Sequence, residues 1–355
     1  MKEGSLMAKN AAIYGAGYSG ARVYAELSSM GYEIDLMVDS NPDVRGKIGP
    51  DRIVISDPID LSGYEGTVFM GCAGGVALRE TIKENFGLTA DYTVNWRLHK
   101  ERLVEYWRTR NQDFSKISKL WQDESSSVLW KLLTRHAPVE NSEILDIPVL
   151  SDYFEEIFSE RVSHHDIIVA GASVGEELAS LDTNSPLLRQ AYLYEPNAVS
   201  FSLLKTEISK LANPDTFVCR PFALGEVPAE LFLTSQGTTS RIIRDKNLDE
   251  AHLSQKSGLF RIQQTTIDRE VKELQISPTI LTFDVEGAEM NALRGATETI
   301  KESRPILAVS AYHNPSDLYD IVEFVDSLNQ GYEYELRARD FGFVDLTIFC
   351  VPSSG

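Results

Sequence analysis

The chain is short of several things, and each shortage removes a class of explanation. Of 355 residues only 3 are cysteine (Cys72, Cys219 and Cys350), far apart and forming no CxxC pair. That excludes a disulfide scaffold and a cysteine-based zinc site, and it predicts reduced, buried thiols. Basic residues are also scarce: 34 Lys and Arg against 53 Asp and Glu leave a formal net charge of −19. Such a field repels phosphate backbones, so no nucleic-acid partner is expected. No apolar run is long enough to span a bilayer, and residues 1–10 carry no signal-peptide core. No membrane association and a cytoplasmic location are therefore expected. Internal repeats and low-complexity segments are absent as well.

What is present is ordinary globular chemistry, 43% hydrophobic and 25% charged. The length favours two domains with a connecting segment. Residues 1–90 open with a βαβ pattern. Ala11-Ala12-Ile13-Tyr14 runs into Gly15-x-Gly17-x-x-Gly20, a helix pattern covers 21–30, and a second strand over 34–38 ends at Asp39. Further short strands are expected at 53–55 and 67–71. Between 91 and 165 the spacing of Trp96, Leu103, Tyr106, Trp107, Phe114, Ile117, Leu120 and Trp121 predicts a helical connector packing onto the second domain. From 166 to 355 the βα alternation restarts. Strands are expected at 166–170, 191–195, 216–220, 279–284, 305–310, 332–337 and 346–351, with helices over 175–182, 198–211, 268–275, 288–301 and 316–329. The fold class is α/β: two Rossmann-like, doubly wound sheets joined by a helical connector.

Chemistry-bearing residues cluster where such sheets bind ligands, at the C-terminal strand ends. Gly15-x-Gly17-x-x-Gly20 with Asp39 has the layout of a nucleotide site: glycines admit a phosphate to a helix N-terminus, and the acid accepts ribose hydroxyls. On that motif the chain could be a NAD-dependent oxidoreductase or a non-catalytic nucleotide-binding protein. A second glycine loop, Gly171-Ala172-Ser173-Val174-Gly175, follows the strand ending at Ala170, and Glu195 closes the next strand in the same way. Asp284 ends the apolar run 280–283, with Glu286 and Glu289 close behind. Glu286 and Glu289 could bind a divalent metal, but two such acids beside a helix start are commonly helix stabilisers, and no metal is assigned. His313, just past the fifth strand, is a candidate for acid–base work. His164 and His165 read as solvated loop residues, and residues 235–260 as substrate-side loops.

The ordered series from 166 to 351 resembles the FkbM methyltransferases. It comprises Gly171-Ala172-x-x-Gly175, Tyr194-Glu195-Pro196-Asn197, Phe222-Ala223-Leu224-Gly225, Thr238-Thr239-Ser240-Arg241, Asp284-Val285-Glu286-Gly287-Ala288-Glu289 and Leu293-Arg294-Gly295-Ala296. The resemblance implies a seven-stranded class I methyltransferase sheet using S-adenosylmethionine, with O-methylation of a hydroxyl on a small or sugar-like substrate. It further implies that Gly171, Ala172, Ser173 and Gly175 face the methionine and ribose and that Glu195 takes the ribose hydroxyls. Phe222 and Ala223 would flank the adenine, with Ser240 touching the cofactor. Asp284, Glu286 and His313 would serve catalysis, Asp284 lying near the sulfonium. One departure stands out: Ala170 occupies the position where the family usually has an acid, a loss that could weaken cofactor binding, be compensated by Glu176, or mark a degenerate enzyme, compensation being the favoured reading. The N-terminal half resembles the small Rossmann-like domain that precedes some sugar-modifying enzymes and some FkbM-type chains, which implies a nucleotide or nucleotide-sugar ligand there, or none.

Overall fold

The structure, a computed structural model, describes residues 9–72, 76–110, 114–121, 123–135, 138–150, 154, 165–175, 177–183, 187–236, 239–243, 259–339 and 345–353. It divides into two compact units. One comprises Met1–Gln112, Ser125–Ser151 and Arg337–Leu346; the other comprises Asp113–Glu124, Asp152–Leu336 and Thr347–Gly355. None of the helices among the described residues is long and apolar enough to cross a membrane.

The first unit begins with β1 (Lys9–Tyr14), α1 (Tyr18–Ser29), β2 (Tyr32–Val38), β3 (Ile55–Ser56), β4 (Thr67–Met70), α2 (Val76–Phe86) and β5 (Ala90–Asp91). Its sheet is parallel throughout, in the order β3-β2-β1-β4-β5. The order reverses between β1 and β4, which opens a crevice beyond their C-terminal ends. Ala11, Ile13, Val23, Leu27, Met37 and Phe69 fill the core beneath α1. The third glycine of the motif is there for packing: a Cβ on Gly20 would stand 2.0 Å from the Gly15 carbonyl oxygen.

The connector expected over 91–165 is shared between the two units. Helices α3 (Thr93–Arg110), α5 (Glu124–Thr134) and α6 (Asn141–Leu145) lie in the first, α5 from its second residue onward. There Trp96, Trp107 and Trp130 are buried, with the last two rings 6.0 Å apart. Helix α4 (Phe114–Ser118) lies in the second, together with buried Ile117 and Trp121. The aromatic stripe that reads as one helical face therefore serves two cores.

The second unit is built on β6 (His165–Ala170), α7 (Leu178–Thr183), β7 (Leu188–Tyr194), α8 (Ala198–Ile208) and β8 (Phe217–Arg220). After an inserted sheet come α9 (Ile267–Leu274), β13 (Ile280–Phe283), α10 (Glu289–Arg294), α11 (Thr297–Ser303), β14 (Ile306–Ser310), α12 (Asp317–Ser327), β15 (Tyr332–Ala338) and β16 (Leu346–Pro352). The seven-stranded order is β15-β16-β14-β13-β6-β7-β8, with β16 antiparallel to β14 and β13, β14, β6, β7 and β8 parallel. Every residue of β6 and β13 is buried, as a central parallel strand covered on both faces requires. All seven strands were expected; their direction and neighbours follow from tertiary pairing.

Four expectations are corrected. The helix read over 288–301 is two helices broken at Gly295, where a Cβ would stand 2.0 Å from the Gly225 carbonyl oxygen. The stretch read as loops contains β10 (Ala229–Gln236), β11 (Thr239–Ile243) and the start of β12 (Leu259–Thr265). With β9 (Ala223–Leu224) these form a four-stranded sheet, β11-β10-β12-β9, around Ala223, Leu233 and Ile262. Leu231-Phe232-Leu233 interrupts the alternation that would have announced β10. His165 is no loop residue: it is 3% exposed at the head of β6, its Nδ1 2.8 Å from Thr279 Oγ1, while His164 lies outside the described residues. Of the three thiols only Cys350 is fully buried; Cys72 and Cys219 are half-buried.

Candidate active site

The strand tips of the seven-stranded sheet gather the site. Beyond β6 the chain turns at Gly171 (φ +86°), passes Ser173 (φ +48°) and turns again at Gly175 (φ +91°). The N–H groups of Gly171 and Ala172 both donate to the Tyr194 carbonyl, each at 3.0 Å. A Cβ on Gly171 would lie 1.8 Å from the Asp284 carbonyl oxygen, so the loop packs directly on the tip of β13. Glycine is required there by both φ and space. Glu176, expected to compensate for Ala170, lies outside the described residues.

Glu195 stands at the tip of β7 and is only 8% exposed. One carboxylate oxygen accepts the Ser173 N–H at 3.0 Å and the other the Asn197 N–H at 2.7 Å. Asn197 in turn caps α8, its Oδ1 accepting the Val199 and Ser200 N–H groups. Burial pushes the Glu195 carboxyl up to about 7 against the pull of those two backbone donors, and the charge of Glu286 adds to the rise. Each oxygen keeps a lone pair for a further donor. Half-buried Phe222 follows β8, the Arg220 guanidinium 5.2 Å from its ring centroid, and Ala223 is buried in β9. Ser240 sits on β11, at the opposite edge of the four-stranded sheet from Ala223. Three strand spacings, about 14 Å, separate them across the sheet, and they are also offset along it, since Ser240 pairs with Ser235 while Ala223 lies level with Ala229.

The loops after β13 and β14 bring together acids and a histidine. Asp284 is half-buried; Tyr312 donates its hydroxyl to both carboxylate oxygens at 3.3 and 3.4 Å. The carboxylate caps no helix: the residue at the head of α10 is Ala288. Glu286 occupies a left-handed conformation (φ +54°) followed by Gly287 (φ +95°), a local strain of the kind found at functional loops. His313 Nε2 lies 3.7 Å from Asp284 Oδ1 and 3.6 Å from Glu286 Oε2. Its Nδ1 lies 2.9 Å from Oε1 of Glu289. Burial disfavours a charged imidazole, but the contact with Glu289 and the charges of Asp284 and Glu286 outweigh it and push His313 up to about 9.

Glu289 is the residue that sequence reasoning undervalued. It does not merely favour a helix start. Fully buried, its Oε1 accepts the Val285 N–H at 3.0 Å and the Gly287 N–H at 3.2 Å, which pins the loop carrying Glu286. Its position five residues after Asp284 was the available signal. Asn314 ties the other loop down: its amide donates to the Gly287 carbonyl at 3.2 Å, and its N–H to buried Asp317 at 2.9 Å. The first unit repeats the Glu195 arrangement. Asp39 accepts the Ala16 N–H from the glycine loop and the Asn41 N–H, both at 2.8 Å. A cavity of about 740 Å³ in that unit, lined by Trp96, Arg97, Lys100 and Arg135 among others, involves neither glycine loop.

Known proteins are similar to this chain in sequence pattern and fold. Residues 171–334 match the model of the methyltransferase FkbM domain. The solved methyltransferase FkbM from Methylobacillus flagellatus KT aligns at a TM-score of 0.61, covering 97% of this chain and 90% of that one, with 18% identity. Weaker likenesses include an rRNA methylase from Streptococcus thermophilus (10% identity, 54% of this chain, 89% of that, TM-score 0.35). Another is the fibrillarin of Aeropyrum pernix, solved with natively bound S-adenosyl-L-methionine (11% identity, 54% of this chain, 67% of that, TM-score 0.33). No curated protein matches the sequence significantly. Residues 171–334 are thus similar in sequence to the methyltransferase FkbM domain, and the fold is that of a solved FkbM methyltransferase.

Proposed function

We infer that the second unit transfers a methyl group from S-adenosylmethionine to a hydroxyl oxygen of a small or sugar-like acceptor. The observation that carries this reading is Glu195: a buried carboxylate joined to a glycine loop, with one acceptor position left on each oxygen for a ribose diol. When bound, the donor supplies an electrophilic methyl carbon on a positively charged sulfur. The chain's part is alignment and charge. Gly171, Ala172, Ser173 and Gly175 give the loop its tight turn, and Phe222 and Ala223 offer a partly apolar wall for a base. Asp284, Glu286 and His313 line the acceptor side, where the hydroxyl is oriented and its proton leaves. Holding the reactants in line can account for roughly 7–11 kcal/mol of barrier reduction. The net charge of −19 favours a small acceptor over nucleic acid. Calorimetric titration of the full chain with S-adenosylmethionine and S-adenosylhomocysteine tests the reading. One-to-one binding is expected, and failure of both to bind would refute it.

A nucleotide or nucleotide-sugar at the Gly15–Gly20 loop is a second part of the reading, supported by the matching hydrogen bonds of Asp39. Ligands that bind only the folded chain raise its melting temperature. A screen of nucleotides, nucleotide-sugars and NAD therefore tests it, and stabilisation by NAD alone would favour an oxidoreductase role for this unit.

A further inference from the structure

The loops after β13 and β14 place three carboxylates, of Asp284, Glu286 and Glu289, around the His313 imidazole. Asp284, Glu289 and His313 each offer one donor atom, and the three atoms lie within 4.8 Å of one another. Glu289 adds a second observation, an unsatisfied buried oxygen. It is fully buried, and its Oε2 has no hydrogen-bond partner among the described residues. A buried carboxylate oxygen left without a donor or cation is costly, and native structures seldom tolerate one.

The separations also suit a shared ion. His313 Nε2 stands 3.7 Å from Asp284 Oδ1, too far for a hydrogen bond. Donors about a common cation, each roughly 2.1 Å from it, stand about 3.0–4.2 Å apart. We propose that Asp284, Glu289 and His313 hold a divalent transition-metal cation at the acceptor side of the methyl-transfer site. One imidazole with two carboxylates suits Mn²⁺, Fe²⁺ or Zn²⁺ better than Ca²⁺, which takes six to eight oxygens.

This inference rests on the methyl-transfer reading and adds a role for the cluster. The acceptor hydroxyl coordinates the cation, which makes its proton easier to lose. As the new O–CH₃ bond forms, the bond from methyl carbon to sulfur breaks, and the sulfur keeps that electron pair and becomes neutral. The hydroxyl proton passes to Glu286, whose side chain is 43% exposed and can release it to water.

The test uses the full chain, freed of metal with a chelator and titrated with Mn²⁺. Free Mn²⁺ is read by electron paramagnetic resonance, and S-adenosylhomocysteine affinity is measured on the same samples by calorimetry. Wild type is expected to bind one Mn²⁺ per chain. His313→Gln, Glu289→Gln and Asp284→Asn should each weaken that binding at least tenfold while leaving the melting curve cooperative. Asp284, half-buried and capping no helix, guards against a variant that merely fails to fold. Absence of a stoichiometric Mn²⁺ site, or Mn²⁺ affinity indifferent to Asp284→Asn and His313→Gln, would overturn the proposal even if S-adenosylhomocysteine binds. Loss of S-adenosylhomocysteine binding with the Mn²⁺ site intact would instead count against the methyl-donor reading.

Discussion

Removing the Glu195 carboxylate is the sharpest perturbation available, because the side chain has two duties that separate experimentally. In the folded chain each oxygen accepts one backbone N–H, from Ser173 and from Asn197. Those bonds hold the glycine loop in place, and the remaining lone pairs are assigned to a ribose diol. Glu195→Ala deletes two charge-assisted bonds to the ligand, each worth roughly 1.5–3 kcal/mol. Affinity for S-adenosylhomocysteine should therefore fall by about 10²-fold or more at pH 8, since about 1.4 kcal/mol is a factor of ten. Proton linkage supplies a second readout on the wild-type chain. Burial raises this carboxyl from 4.5 to about 7, so the ionised acceptor exists only above that pH. The dissociation constant should be flat above pH 7 and climb toward tenfold per unit below it. Stability should move the other way. Between pH 4.5 and about 7 the unfolded chain is ionised while the folded chain keeps the proton. Stability is thus highest below this window and declines as pH rises through it, on the order of 3 kcal/mol for this group alone. The assays are calorimetry and thermal melting from pH 5.5 to 8.5. An affinity that ignores both pH and Glu195→Ala would remove Glu195 from the ligand site.

Asp284→Asn should melt near the wild-type temperature, because the carboxylate caps no helix and its contacts with Tyr312 are long; turnover should drop by roughly 10²-fold or more, the scale of lost acid–base assistance. Normal turnover on a true acceptor would make Asp284 structural. Gly171→Ala forces a Cβ to within 1.8 Å of the Asp284 carbonyl at φ +86°, so a melting loss of several kcal/mol or failure to fold is expected, and a near-native melt would show the loop to be loosely packed on β13. Gly295→Ala should likewise lower the melting temperature through its 2.0 Å approach to the Gly225 carbonyl, without altering the affinity of whatever chain still folds. Asp39→Ala should abolish nucleotide-dependent stabilisation while S-adenosylhomocysteine affinity is kept; equal losses at both ligands would contradict two separate sites.

The sequence by itself determined which segments are strands of the large sheet and which residues end them. Buried parallel strands must be short apolar runs, and a polar residue that terminates such a run emerges at the ligand edge. Glu195 and Asp284 were legible for that reason, as was Asp39 in the other unit. Glycine positions were legible too, since positive φ and close approach leave few alternatives at Gly171 and Gly175. Tertiary structure alone decided the rest. Local pattern could not reveal the four-stranded sheet, because β10 breaks alternation and β9 is two residues long; pairing with β12 makes them strands. Nor could it tell that the tryptophan stripe serves two cores, or that Gly295 splits a helix because the backbone at Gly225 lies against it. The Asp284–Glu289–His313 cluster joins loops from two neighbouring parallel strands, and Glu289 reads from sequence as an ordinary helix-start acid. Its burial, and the loop N–H groups it pins, exist only once β13 and β14 lie side by side, because a buried charge takes its meaning from the partners folding brings to it.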